Sequence, residues 1–222
     1  MLNHVDDAKR REAASPVREG RVFDLGRVLD EDVPVFPGRF FRQTLVTTAH
    51  HANAGAGGMG ENEVNWVTEQ VAGTMQLGTH LDALCHLQIG DRGYNGWSVA
   101  ELASDAGMKR LGVETVPQIV TPRVARGRGR RVGRGAPRGG DVIERDDLAG
   151  VEPEPGDAVL FHTGWGANWH EPDAYLAGEP GPGLALAAFL AERGVALTGC
   201  DTWRFGPCPP RTPPGPSRCR RP

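Results

Sequence analysis

The stretch MQLGTHLDALCH, residues 75–86, places two imidazoles and a carboxylate in a short, mostly apolar run. His80, Asp82 and His86 follow the order H-x-D-x-x-x-H. Residues two apart on a strand point to the same face, so we expect Gln76, His80 and Asp82 to present their side chains together. Neutral imidazole and carboxylate are ligands of catalytic zinc, and they also suit manganese. The spacing therefore favours a metal or acid–base site.

A structural interpretation of the same residues stays open. His80 and His86 are then ordinary, partly buried histidines, and Asp82 is their hydrogen-bond partner. A motif of this length needs a structural context before it indicates chemistry, so spacing alone leaves both interpretations standing.

Longer stretches around the motif carry a family resemblance. QLGTHLDALCH, followed by GDRGYNG at residues 90–96, resembles the signature H-x-G-T-H-x-D-x-P-x-H of the cyclase family of metal-dependent hydrolases. This family includes bacterial kynurenine formamidase and isatin hydrolase. The resemblance extends over residues 20–120 and 139–203. The further stretches that carry it are NWVTEQVAGTM (65–75), GDVIERDDL (140–148), GDAVLFHTGWG (156–166) and GCDTW (199–203).

The resemblance implies a fold and a set of site residues. The fold is α/β, a swivelling β/β/α domain. His80 and Asp82 occupy positions of metal ligands, and His86 occupies that of the general base or acid. Gln76 stands where the family usually has its first histidine ligand, and Leu84 replaces a proline that is no ligand. The implied cofactor is a divalent metal, zinc or manganese, held by Gln76, His80 and Asp82.

The implied activity is the hydrolysis of a linear or cyclic amide. The best substrate by resemblance is N-formylkynurenine, which an arylformamidase converts to kynurenine in tryptophan catabolism. Family members supply a further histidine and a glutamate after the DTW strand, whereas residues 204–222 contain no His, Asp or Glu. We therefore expect an impaired enzyme, and an inactive, truncated relative is the alternative.

Other side chains are candidates for the walls of a substrate pocket. Trp66 and Trp97 can line an aromatic pocket, although tryptophan is also a common core residue. His162, in FHTGWG, follows an apolar run and can face the pocket or make a structural hydrogen bond. Asp201 ends a predicted strand, and we expect it to cap a turn.

The chain divides into four predicted parts. Residues 1–20 are a polar lead-in with some helical character, and residues 21–203 are the cyclase-like hydrolase domain. Residues 121–138 interrupt this domain, and residues 204–222 follow it. Within the domain we expect strands in 21–38, 62–84, 156–165 and 195–203, a helix with a capping box in 98–112, and a helix in 181–194 that stops at Gly194.

Two segments have an aberrant composition. Residues 121–138 contain seven arginines and four glycines, and residues 204–222 contain five arginines and seven prolines. Neither segment has an acidic residue, a lysine or the interleaved aromatics that stack on bases. We interpret them as products of a shifted reading frame and expect both to be disordered; a basic nucleic-acid-binding arm is the alternative.

Charge and hydropathy exclude some partners. The formal net charge is −3, so the molecule as a whole does not attract nucleic acid or an anionic membrane. The first 20 residues lack the apolar stretch of a signal peptide, and no run approaches the roughly 20 apolar residues of a membrane helix. We expect a cytoplasmic homo-oligomer that acts on a small-molecule amide, with no nucleic acid and no membrane as partner.

Overall fold

The structure, a computed structural model, describes residues 2–47, 61, 62, 64, 66–127, 138–148 and 150–209. The chain divides into two compact units. The smaller unit is Leu25–His80, and the larger unit combines Met1–Asp24 with Leu81–Pro222. Both helices and strands occur, so the predicted α/β class is confirmed. In the described part of the chain, no helix combines the length and the apolar character needed to cross a membrane.

The smaller unit is built around two antiparallel strands, β1 (Phe41–Thr47) and β2 (Thr68–Gly73). Phe41 lies opposite Gly73, where a Cβ atom would come within 3.0 Å of the Phe40 carbonyl oxygen. Glycine therefore permits the close approach of the two backbones at this end of the pair.

Two sequence predictions for the smaller unit need correction. Residues 21–38 contain no strand, and the prolines at 34 and 37 explain this because they cannot donate to a strand ladder. Among the described residues of 62–84, the only strand is β2, which ends at Gly73. The motif at 75–86 therefore lies in turns and irregular backbone, and not on a strand.

A three-stranded parallel sheet organises the larger unit. Its strands are β5 (Arg123–Gly127), β7 (Ala158–His162) and β9 (Leu197–Cys200), in the order β5-β7-β9. The central strand β7 is mostly buried, as expected of a strand covered on both faces. The strands predicted within 156–165 and 195–203 are thus confirmed.

Short strand pairs complete the larger unit. β3 (Ala103–Ser104) and β4 (Gly107–Met108) form a small antiparallel hairpin. β6 (Val142–Ile143) pairs in parallel with β8 (Gly181–Pro182).

The described residues of the larger unit form four α-helices: α1 (Asp7–Ala14), α2 (Val99–Leu102), α3 (Pro172–Leu176) and α4 (Leu184–Glu192). The helix predicted in 181–194 is confirmed as α4, and Gly194 follows it with a φ of +71°. The capping box predicted at the start of 98–112 is present, but its helix ends after four residues and β3 follows directly. Single 3-10 helical turns span Leu2–His4, Tyr94–Gly96, Val113–Thr115, Arg145–Leu148 and Trp165–Asn168.

The main hydrophobic core lies in the larger unit, where helix α4 contributes one wall and strand β7 another. Burying each large aliphatic or aromatic side chain contributes about 1.5–3 kcal/mol to folding. The buried members of this cluster are Ile143, Leu148, Val159, Phe161, Leu186, Phe189, Leu190 and Val195.

The polar lead-in at 1–20 contains helix α1, which confirms its predicted helical character. Asp6 caps the helix, because its carboxylate accepts a hydrogen bond of 2.9 Å from the Lys9 amide. The Lys9 side chain is buried, and its Nζ lies 2.7 Å from Oδ1 of Asp157. The helix is therefore tied to the segment that enters β7.

Parts of the two arginine-rich segments make contacts with the larger unit, and the poor order predicted for these segments stays a prediction. Residues 123–127 form strand β5 at the edge of the sheet, where backbone hydrogen bonds need no particular side chains. Phe205 packs edge-on against Phe161 of the core, with ring centroids 6.0 Å apart. Cys208 forms an antiparallel bridge with Glu179. The remaining parts, 128–137 and 210–222, lie outside the described residues.

Candidate functional site

The first half of the motif closes the smaller unit. Gly78 adopts a φ of +57°, and its carbonyl oxygen lies 3.0 Å from Nδ1 of His80. Because a carbonyl oxygen only accepts, the neutral His80 ring carries its proton on Nδ1 and its lone pair on Nε2. The Arg39 guanidinium donates to the backbone oxygen of Gln76 at 3.2 Å. This half of the motif is thus held both by its own backbone and by a side chain that precedes β1.

The second half of the motif opens the second segment of the larger unit. A turn joins Asp82 to His86, with the His86 amide donating to the Ala83 carbonyl oxygen at 2.9 Å. The Asp82 Oδ2 and His86 Nε2 atoms lie 3.8 Å apart. This distance is too long for a hydrogen bond but short enough for an ion pair when the imidazole is protonated. Both side chains are partly exposed, so a solute can reach them.

The four predicted motif residues are divided between the two units. Gln76 and His80 belong to the smaller unit, and Asp82 and His86 to the larger one. Within the described ranges of the chain, no group of three or more His, Cys, Asp or Glu side chains is arranged to hold a metal ion. The donor types suit zinc or manganese, and within the larger unit the carboxylate of Asp82 lies beside the imidazole of His86.

The predicted pocket residues occupy three separate environments. Trp66 belongs to the smaller unit and is exposed. Trp97 is half-buried in the larger unit, and the Arg110 guanidinium carbon lies 4.3 Å from the centre of its ring. His162 is the last residue of β7, and its side chain is exposed. Their shared role as walls of a substrate pocket stays a prediction.

The Asp201 carboxylate accepts more hydrogen bonds than the sequence predicted. It accepts hydrogen bonds from the backbone of Thr163 at 2.7 Å and of Gly164 at 2.9 Å. It also accepts one from the Thr163 hydroxyl at 2.6 Å and lies 3.7 Å from Nε2 of His162. The expectation that Asp201 caps a turn is confirmed. The cluster arises because TGWG (163–166) directly follows β7 and DTW (201–203) directly follows β9, and these two strands pair in parallel.

Two further polar groups lie near the end of β9. Burial raises the pKa of the Cys200 thiol to about 12, so it is protonated at neutral pH and is a poor nucleophile. Glu179 is buried, and its Oε2 accepts hydrogen bonds from the backbone of Trp203 at 2.7 Å and of Arg204 at 3.1 Å. This carboxylate fastens the segment after β9, and sequence reasoning missed it because the partners are distant along the chain.

The model of the family described as putative cyclase matches residues 23–207. The chain belongs to the cyclase family. The match includes the whole motif, and the aberrant character of residues 121–138 stays a prediction.

Solved structures show the same fold. A crystal structure described as that of a novel cyclase aligns with a TM-score of 0.84 at 26% identity, covering 94% of this chain and 75% of that chain. Isatin hydrolase A from Labrenzia aggregata, bound to benzyl benzoate, gives a TM-score of 0.60 at 22% identity over 89% of this chain and 74% of that chain. Isatin hydrolase A from Ralstonia solanacearum gives 0.56 at 23% identity over 84% and 68%. At such identities the two hydrolases are similar in fold alone.

A search of the curated proteins gave no match.

The family match and the solved structures together establish the mixed α/β fold of the cyclase family. The swivelling arrangement of its layers stays a prediction.

Proposed function

We propose that this chain is a metal-dependent hydrolase that cleaves a linear or cyclic amide. The observation that carries the proposal is the Asp82–His86 pair, 3.8 Å apart, within the part of the chain that matches the cyclase family. Two of the similar structures are isatin hydrolases by name, and isatin is a cyclic aryl amide. Aryl formamides of the N-formylkynurenine type are the first linear candidates, from the resemblance of the motif.

The proposed metal ligands are Gln76, His80 and Asp82. Their support is the donor chemistry of the sequence motif and, for His80, a tautomer that carries its lone pair on Nε2. A bound divalent ion supplies Lewis acidity, which polarises a carbonyl oxygen and makes water more acidic. Zinc and manganese are the two ions that this set of nitrogen and oxygen donors suits.

His86 is the proposed proton carrier. Its imidazole accepts a proton from the attacking water and returns one to the leaving nitrogen of the amide. The nearby Asp82 carboxylate provides an opposite charge while the ring is protonated. Partial exposure of the ring leaves room for a substrate beside it. A positioned acid–base residue of this kind contributes about 10²–10⁴-fold to a rate.

The test is hydrolysis of N-formylkynurenine, formanilide and isatin by the purified chain, with zinc or manganese added. His86→Gln should lower kcat by about 10²–10⁴-fold, because glutamine cannot transfer the proton. The matched control is His170→Gln, which replaces an exposed histidine outside the motif and should leave kcat unchanged. The proposal is wrong if no substrate is hydrolysed with either metal, or if the two variants behave alike.

A further inference from the structure

The carboxyl ends of β7 and β9 place an imidazole and a carboxylate side by side. The two strands are parallel neighbours, so they end at the same edge of the sheet. His162 is the last residue of β7, and Asp201 is the first residue after β9. The Asp201 amide donates to the Phe161 carbonyl oxygen at 3.3 Å, which joins the two exits. In open parallel sheets, ligands bind outside this carboxyl edge.

The Asp201 carboxylate is fixed by the turn after β7. Oδ1 accepts hydrogen bonds from the amide and the hydroxyl of Thr163, at 2.7 and 2.6 Å. Oδ2 accepts from the amides of Gly164 at 2.9 Å and Gly166 at 3.3 Å. Gly164 has a φ of +86°, a conformation that glycine adopts without strain and that lets the turn wrap around the carboxylate. Four donors therefore immobilise this charge.

The same turn is anchored in the larger unit on its other side. Trp165 is buried, its amide donates to the Thr163 hydroxyl oxygen at 3.0 Å, and its indole donates to the Tyr175 carbonyl oxygen at 3.0 Å. The Tyr175 ring in turn packs edge-on against Trp169, with centroids 5.5 Å apart. The carboxylate thus sits on a rigid support.

The His162 side chain is 75% exposed, whereas its neighbours Phe161 and Thr163 are buried. Its Nε2 lies 3.7 Å from Oδ2 of Asp201, which is beyond hydrogen-bond range but within the range of an ion pair. A solvent-facing imidazole thus stands beside a carboxylate held by four hydrogen bonds, at the edge where parallel sheets bind their ligands.

We propose that the His162 imidazole donates a hydrogen bond to a carbonyl oxygen of the substrate, and that Asp201 is the positioning residue that orients this ring. The inference rests on the proposed amide hydrolysis and adds a substrate-binding residue to it. The fixed carboxylate restricts the orientations of the ring, so less conformational freedom is lost when the substrate binds. Asp201 acts through His162 and does not touch the substrate.

The test is a double-variant cycle on a substrate that the wild-type chain hydrolyses. His162→Gln and Asp201→Asn should each raise KM about tenfold with a smaller change in kcat, because the hydrogen bond from the imidazole to the substrate is lost or misaligned. The double variant should match His162→Gln alone, since Asp201 has nothing left to orient. The control Thr198→Val removes another hydrogen bond from β9, to the Val159 carbonyl oxygen, and should leave KM unchanged.

Several outcomes overturn the inference. Additive effects of the two substitutions on KM would show that Asp201 acts independently of His162. An unchanged KM in His162→Gln would show that His162 does not contact the substrate. If Asp201→Asn does not fold, the exposed substitution His162→Gln is sufficient for the test.

A second readout separates this inference from the proposed function. If the wild-type chain hydrolyses nothing, the proposed function fails, and isatin is then titrated while the ¹⁵N imidazole signals are recorded. The His162 signal, assigned by its loss in His162→Gln, should shift with isatin in the wild type and shift less in Asp201→Asn. A His162 signal that does not respond to isatin contradicts the inference.

Discussion

At the scale of single residues, the most consequential contact outside the motif is the ion pair between Lys9 and Asp157. Both residues are 6% exposed, and Nζ of Lys9 lies 2.7 Å from Oδ1 of Asp157. Glu12 lies 3.1 Å from the same nitrogen. Removing one member of a buried pair leaves the other charged and desolvated, which is far more costly than losing a pair at the surface.

Lys9→Met should therefore lower the free energy of unfolding by about 3–5 kcal/mol, because the Asp157 carboxylate stays buried without its cation. The matched control is Arg10→Met on the same helix, where the ion pair with Asp7 is exposed and contributes about 0–1 kcal/mol. Urea denaturation of both variants is the measurement. Equal losses in the two variants would contradict the buried pairing of Lys9.

The pH dependence of stability gives a second check on the same pair. Burial alone would lower the pKa of Lys9, but hydrogen bonds to Asp157 and Glu12 outweigh it and raise the pKa above its usual value of 10.5. A raised pKa in the folded state stabilises the fold below pH 10.5, and this stabilisation is lost as the pH rises through the folded pKa. Wild type should lose this part of its stability above pH 10.5, whereas Lys9→Met should not.

Residue-level features were predictable where the partners lie close in sequence. The capping box of Ser98 and Glu101 is such a case, since its two residues are three apart and the Ser98 amide donates to Glu101 at 2.9 Å. The burial of Lys9 and the hydrogen bonds accepted by the Asp201 carboxylate were not predictable, because the partners lie elsewhere along the chain. A lysine in a polar helix has no local signal that it faces an aspartate.

At the scale of elements, α4 is the helix that packs against the main core. Leu186 is 0% exposed and belongs to the core, whereas Leu184 on the same helix is 67% exposed. Apolar residues occur along almost the whole helix, so the sequence predicted its existence but not which face is buried.

Leu186→Ala should lower the free energy of unfolding by about 2–5 kcal/mol, because it leaves a cavity between the helix and the core. Leu184→Ala is the control, with an expected change in the free energy of unfolding within about 0.5 kcal/mol. Truncating an exposed side chain removes few packing contacts. Thermal unfolding followed by circular dichroism measures both. A larger loss in Leu184→Ala would mean that the helix presents its other face to the core.

Two elements show where sequence patterns were insufficient. The helix that begins at Val99 gives way to the β3–β4 hairpin at Ala103, and Gly107 supports the turn with a φ of +127°. Glycine reaches this conformation readily, so the turn competes with continuation of the helix. The arginine-rich composition of residues 121–138 gave no sign of strand β5. Such a composition nevertheless does not prevent backbone pairing at a sheet edge.

At the scale of the whole molecule, the family was predictable because a long signature tolerates local departures. Gln76 and Leu84 differ from the signature, yet the family match spans residues 23–207. Helix α1 lies before the matched region and is nevertheless tied to the larger unit through Lys9. The family resemblance therefore predicted the central fold, and only the structure assigned the N-terminal helix to it.

Metal binding should stabilise the whole molecule if the motif holds an ion. A ligand that binds only the folded chain raises its stability, by about 2.7 kcal/mol when its concentration is 100 times the dissociation constant. Adding zinc or manganese to the metal-free chain should therefore raise Tm, and a chelator should reverse the gain. Asp82→Ala should abolish it, because this substitution removes the only carboxylate among the proposed ligands.

Asp105→Ala is the control for this metal response, since Asp105 is exposed in the turn between β3 and β4. This variant should keep the full gain in Tm, so a loss in both variants would indicate general damage to the fold. An equal gain in wild type and Asp82→Ala would place the bound metal elsewhere and remove the metal from the proposed function. The Asp82–His86 pair would then be left as a proton-transfer pair, for which the kcat of His86→Gln without added metal is the deciding measurement.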